Sequence, residues 1–230
     1  MTRAPSHEEY HADVTCCCRA TGCEEIFKPA VARKNLRRYQ KKGLGAIERQ
    51  LVGAIPARDI AGARVLEIGG GIGAIQTELL SKGASSGEIV ELVSAYEPYA
   101  RELAAAKGFQ GRSRFRVADV LDTPDAVAPA TIVILNRVVC CSPDGVRLTG
   151  IAGRLADRLL TMSFPRDRWL IRLGTKTLNG IMQVLGRSFR VYLHPRSALV
   201  AAAEDAGLVV AQAGRSFAWE FMTFQRRNAA

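Results

Sequence analysis

The sequence predicts an α/β fold, a doubly wound and mostly parallel sheet in the Rossmann-like manner, preceded by a helical cap at the N terminus. Three observations carry that expectation. From Ala63 onward, short apolar runs of strand length alternate with helical stretches, and strand alternating with helix means parallel strands joined by right-handed crossovers. An apolar strand runs directly into Gly69-Gly70-Gly71-Ile72-Gly73, and a helical segment follows it. Three acids, Glu67, Glu91 and Asp119, fall at the ends of successive predicted strands, the edge where such sheets bind ligands.

The elements follow in order. Residues 1–56 read as an extension. Its first fifteen residues are polar. Pro29 suits a first helical turn, Val31, Asn35, Leu36 and Tyr39 fall near helical spacing, and Gly43 is a C-terminal stop. A second helix runs from Leu44 to Ile55 with Ile47 and Leu51 on one side, and Pro56 ends it. The second region, 57–230, opens with strand Arg64 to Ile68 and helix Ala74 to Lys82. Strand Glu88 to Leu92 and helix Tyr96 to Lys107 come next, then strands Arg114 to Ala118 and Thr131 to Leu135. Helix Gly145 to Asp157 leads to strand Arg158 to Ser163. Arg168 to Leu185 reads as a helical lid despite Gly174 and Gly180. After a helix from Ser197 to Ala206, Leu208 to Ala213 and Phe217 to Phe224 are two closing strands around a hairpin at Gly214.

Composition bounds the function. Hydrophobic residues make up 48% of the 230, which supplies a packed core. No apolar run approaches the roughly 18 residues of a membrane span. The first twenty residues carry Glu8, Glu9 and Asp13 and lack the apolar core of a signal peptide, so a cytoplasmic protein is expected. The net charge of +10 favours acidic partners, whether nucleic acid, an anionic surface or an anionic small molecule. No aromatic-interleaved basic motif of the kind that binds nucleic acid is present.

The segment Val65 to Gly73 is the most informative. Glycines permit positive φ and let a ligand approach the backbone where a Cβ would collide. That geometry suits any nucleotide-like cofactor, NAD included. Glu67, just before the glycines, repels a pyrophosphate and suits a cationic ligand. Glu91 closes the next strand, where an acid accepts hydrogen bonds from two ribose hydroxyls. Asp119 follows the third strand and is placed to meet an adenine amino group. Glu97 is the rival for the ribose role, but it lies within the predicted helix.

On these residues the chain resembles the class I S-adenosylmethionine (SAM)-dependent methyltransferases. Glu67, Gly69, Gly71 and Gly73 resemble their first motif, Glu91 their ribose-binding acid and Asp119 their adenine-side acid. The resemblance implies SAM as cofactor, with Glu67 facing its cationic methionyl end. The segments after the fourth strand are similar to the magnesium-protoporphyrin O-methyltransferase group: Cys140-Cys141 with Pro143-Asp144, Ser163-Phe164-Pro165 and Tyr192-Leu193-His194. Asn136-Arg137-Val138-Val139 departs from that group's usual wording.

The substrate side lies after the fourth strand. Asn136 is expected to bond the SAM amino group or the substrate, and Arg137 to hold an anion, with Arg166 and Arg168 as further candidates. If the resemblance extends to chemistry, the acceptor is a carboxylate, as in a tetrapyrrole propionate. It is ionised at neutral pH and needs no general base. An amine or phenol acceptor would instead call on His194 or Tyr39. Tyr39 and the pair Arg37-Arg38 are placed near the substrate if the extension closes over SAM.

Six cysteines, Cys16, Cys17, Cys18, Cys23, Cys140 and Cys141, match no paired Cys-x-x-Cys pattern, and no metal is expected at the site. Unliganded thiols are the expectation for the first four, and packing for the last two. Three other readings stay open: an RNA methyltransferase, an NAD-linked oxidoreductase, and a metal- or redox-responsive binding protein on a SAM fold.

Overall fold

The computed structural model describes residues 22–227. Cys16, Cys17 and Cys18 lie outside the described residues. Four helices come first: α1 (Cys23–Ile26), α2 (Pro29–Lys42), α3 (Ala46–Gly53) and α4 (Ala57–Ile60). Pro29 opens α2, where its missing N–H costs nothing, and Gly43 ends it with φ 65°. The alternating region comprises β1 (Arg64–Ile68), α5 (Ala74–Ser81), β2 (Ser86–Glu91), α6 (Glu97–Ala106), β3 (Ser113–Val117) and β4 (Ala130–Asn136). It continues through α7 (Gly145–Leu155), β5 (Ala156–Pro165), α8 (Trp169–Val184), α9 (Arg196–Asp205), β6 (Leu208–Arg215) and β7 (Trp219–Arg226).

One seven-stranded sheet has the order β3-β2-β1-β4-β5-β7-β6. The first five strands are parallel, and β7 lies antiparallel between β5 and β6. The order in which strands are added reverses between β1 and β4, parallel neighbours that start the two halves, so the ligand crevice is expected outside their carboxyl ends.

Strand alternation sorts the core into two layers. Ile132 and Ile134 of β4 join Val65 of β1 in one apolar cluster, while Val133 and Leu135 join Leu66 and Ile68 in the other. Buried on both faces, the central strands read as continuous apolar runs rather than alternating ones. The cap belongs to the first layer: Leu36, Tyr39, Ile47 and Leu51 pack in the same cluster as Ile75 and Leu79 of α5.

The predicted order of elements is the observed one, with differences in extent. Strand β2 starts at Ser86, because Ser86 and Gly87 already pair with Arg64 and Val65 of β1. Helix α7 stops at Leu155 and β5 takes Ala156 onward, since Ala156 pairs with Ala130. The short α4 has no periodicity long enough to read. Gly214 is not the hairpin turn. It pairs with Phe221, whose ring lies 2.2 Å from where a Cβ would sit. The turn is at 216–218, closed by the Ser216 N–H on the Trp219 carbonyl at 2.7 Å.

Candidate functional site

A cavity of about 360 Å³ opens at the carboxyl ends of β1, β2 and β4. The size is in the range of small-molecule sites. One wall is the sheet edge and its loops. Gly69, Gly71 and Gly73 all have φ between 56° and 72°, so each needs glycine. At Gly69 and Gly73 space is equally decisive, because a Cβ would come within 2.4 Å of Val138 and of Ile89 respectively. The turn therefore lies tightly on its neighbours and brings bare backbone to the cavity.

Glu67 is 2% exposed and accepts the Gln76 N–H at 3.1 Å. Burial raises its carboxyl pKa to about 8; the Gln76 hydrogen bond opposes this, and the nearby carboxylates of Glu91 and Glu48 add to it. Glu91, the last residue of β2, accepts the N–H of Gly71 at 2.9 Å on one oxygen and that of Val93 at 3.2 Å on the other. Burial raises the Glu91 carboxyl and these backbone N–H groups pull it back. Asp119 lies two residues beyond β3, accepts the Leu121 N–H at 2.8 Å, and is raised by burial. All three acids line the cavity. Glu97 does not. It pairs with Arg101 on the surface of α6 at 2.6 Å.

Asn136 and Arg137 also line the cavity. The Asn136 Oδ1 accepts the Ser163 hydroxyl at 2.8 Å, so its amide NH2 is what remains to meet a ligand. Arg137 has φ 58°, the single positive value at a non-glycine among the described residues. A side chain there costs about 1–3 kcal/mol, and several contacts offset that strain. The Arg137 N–H donates to the Ser163 hydroxyl at 3.0 Å, and its guanidinium lies 5.1 Å from the Trp219 ring centre. Its Nη1 is 3.6 Å from Glu48.

The opposite wall comes from the cap. Cys23, Phe27, Asn35, Arg38 and Glu48 face the cavity. Glu48 is buried and its Oε1 lies between Arg137 and Arg38, the latter at 3.9 Å. The Asn35 amide donates to Tyr96 Oη at 3.3 Å, and the Tyr96 ring stands over Gly71. Glu48, Asn35 and Tyr96 carry no local signal in the sequence. Glu48 is one acid in an amphipathic helix, and only the packing of α3 against the sheet brings it to Arg137.

Several expected residues lie elsewhere. His194 does not line the cavity. Its Nε2 sits 3.0 Å from both the Val139 and the Ser142 carbonyl oxygens, so that nitrogen carries a hydrogen and fastens the loop after β4. Tyr39 is buried under α5 and donates to Glu78 at 2.8 Å. Burial raises its hydroxyl further above its ordinary range. Arg37 lies on a separate surface with Arg33 and Lys34, so of the pair only Arg38 reaches the site. Arg166 donates to the Ser216 carbonyl at 2.9 Å and Arg168 lies over Phe217 at 5.6 Å; neither lines the cavity. Cys141 lines it and Cys140 is buried beneath, both with Sγ near the Arg137 carbonyl. The hydrogen bond with the neighbouring Cys140 thiol, and then burial, raise Cys141, which suits packing rather than nucleophilic attack. No group of three or more His, Cys, Asp or Glu is arranged to hold a metal among the described residues.

No protein-family model matches the chain, and no curated protein matches it. Solved structures do. The magnesium protoporphyrin IX methyltransferase of Synechocystis, solved with S-adenosylhomocysteine bound, superposes with a TM-score of 0.69 at 18% identity, over 90% of this chain and 99% of that one. An O-methyltransferase family protein of Burkholderia thailandensis gives 0.65 at 20% identity, over 87% and 60%. An O-methyltransferase family 2 protein of Planctomyces limnophilus, in complex with apigenin, gives 0.65 at 16% identity, over 86% and 61%. Sheet order, glycine turn and these likenesses agree that the chain has the Rossmann-like fold of class I methyltransferases.

Proposed function

We propose that the protein is a SAM-dependent methyltransferase acting on a small anionic molecule, with a carboxylate oxygen as acceptor. The observation that carries the proposal is Glu67. It is a buried carboxyl beside two further buried carboxyls, held by one backbone N–H, and among the described residues no cationic side chain is bonded to it. A cation completes that site by favouring the ionised carboxylate, and the cationic methionyl end of SAM meets the need. Glu91 suits the ribose hydroxyls and Asp119 the adenine amino group, with the backbone of Gly69, Gly71 and Gly73 as the floor.

SAM supplies an electrophilic methyl group when bound. The chain's part is binding, orientation and exclusion of water. Arg137 and Arg38 bracket the acceptor side and favour an anion. Glu48 and Trp219 hold Arg137 in place, and the Asn136 amide donates into the same space. A carboxylate acceptor is ionised at neutral pH, so no base is needed, in keeping with the engagement of His194 Nε2 by two carbonyls. The likeness to the magnesium-protoporphyrin enzyme makes a tetrapyrrole propionate the first acceptor to try. A cytoplasmic location accompanies this reading.

The test is methyl transfer from labelled SAM to magnesium protoporphyrin, read by mass against a no-enzyme control. A methyl ester formed only with enzyme supports the acceptor assignment. Absence of product in protein that binds S-adenosylhomocysteine would reject that acceptor, and stabilisation by NAD instead of S-adenosylhomocysteine would reject the cofactor.

A further inference from the structure

We propose that α8 and the β6–β7 turn form a surface that docks on an anionic lipid bilayer. Helix α8 has no buried residue in its sixteen. Its half-buried positions are Ile171, Thr175, Asn179 and Met182, which fall on one stripe at helical spacing. Asn179 fixes that stripe to the body, accepting the Val191 N–H at 2.9 Å and donating to the Val191 carbonyl at 2.8 Å. The rest of the helix is turned outward, and it is the apolar part. Trp169 is 71% exposed, Leu173 56% and Val184 88%. Of the nine exposed large hydrophobic residues among those described, seven lie between Trp169 and Leu185. An ordinary surface helix turns its apolar stripe inward, and a contiguous exposed apolar patch marks a docking surface. Phe217, 67% exposed in the turn, adjoins the start of the helix through Arg168.

Charge selects the occupant. Between 166 and 190 there are six Lys or Arg residues and one acid, and that acid, Asp167, is tied to Arg172. At helical spacing Arg172 and Lys176 run along the edge of the outward arc. An apolar arc with a Trp, edged by basic residues, is built to lie in the headgroup region of an anionic membrane. A second copy of the chain would set these cations against each other. No helix is long and apolar enough to cross a membrane, so the contact is interfacial. This surface does not depend on the reaction proposed above.

Flotation of the full chain with phosphatidylcholine vesicles, with and without phosphatidylglycerol, tests the proposal. The chain is expected to float with the anionic vesicles at low salt, less as salt rises, and hardly at all with neutral ones. The double variant Leu173→Glu, Val184→Glu removes two apolar contacts and should lower partitioning at least about tenfold, with an unchanged circular-dichroism melting curve as the sign of a native fold. Brominated lipid should quench a fluorescence component that Trp169→Phe abolishes, a readout that holds even if the double variant misfolds. The proposal is overturned by folded protein that stays unbound at low salt, or by a folded double variant that floats like the wild type. Failure of the lipid to quench Trp169 overturns it too, as does self-association through this patch that vesicles do not compete with.

Discussion

The two walls of the cavity are made of different material. The sheet edge carries Glu67, Glu91 and Asp119, each of which accepts at least one backbone N–H from the turn or helix beside it. The cap wall carries Arg38 and Glu48, and Glu48 pairs side chain to side chain both with Arg38 and, across some ninety residues of chain, with Arg137. Backbone partners fix the first wall whatever the cap does. The second exists only while α2 and α3 stay packed on the sheet. The difference predicts that cofactor binding and acceptor binding fail separately when the walls are altered one at a time.

The largest effect is expected at Glu91. Glu91→Ala removes an acceptor of two hydroxyl hydrogen bonds, each about 1.5–3 kcal/mol when one partner is charged. S-adenosylhomocysteine affinity by calorimetry should fall roughly a hundredfold or more, a factor of ten per 1.4 kcal/mol. If affinity is unchanged, Glu91 does not hold the ribose.

Arg137→Ala alters the other wall. KM for an anionic acceptor should rise by about tenfold, the scale of a lost charge-assisted hydrogen bond, while S-adenosylhomocysteine affinity stays within about twofold. Equal losses in both would show that the walls are not separable.

Glu67 sharpens the first wall by its titration. Its carboxyl is protonated in the free protein up to about pH 8, and a cation favours the ionised form. SAM affinity should therefore increase as pH rises towards 8 and level off above it, with proton release on binding. Glu67→Gln should flatten that profile. The sign for stability is opposite. The folded state holds this proton to about 8, whereas the unfolded chain releases it near its ordinary pKa of about 4.3. Stability of the ligand-free protein from this group is full below that ordinary value and is lost as pH rises through about 8.

The smallest effect on turnover is expected at His194. His194→Ala should leave kcat within about twofold and cost about 1–2 kcal/mol of stability, from two carbonyls losing their donor. That is a fall of several degrees in Tm. A large loss of kcat with unchanged Tm would restore it as a base.

The contrast between the walls is also a contrast in legibility. Glu67, the glycines and Glu91 lie where strand periodicity ends, so residue type and position together point to a ligand edge. Arg137 was visible for the same reason, as the residue after β4. Glu48, Asn35 and Tyr96 were not, because nothing in the sequence of a helix says which side meets a cavity. Arg166, Arg168 and His194 had residue types suited to a site, yet their partners, Ser216, Phe217 and the loop after β4, are set by tertiary contacts. The outward apolar arc of α8 was read as a lid from its composition, and only the Asn179–Val191 bonds decide which side faces out.

The sequence by itself determined the alternation of strand and helix, the glycine turn and the acids at the strand ends. These depend on short-range sterics and on the periods of two and 3.6 residues. Tertiary structure decided the insertion of β7 between β5 and β6, the arrival of Glu48 at Arg137, and the engagement of His194. Each of those joins residues far apart in the chain, and their pairing follows from how the helices pack on the sheet rather than from any local preference.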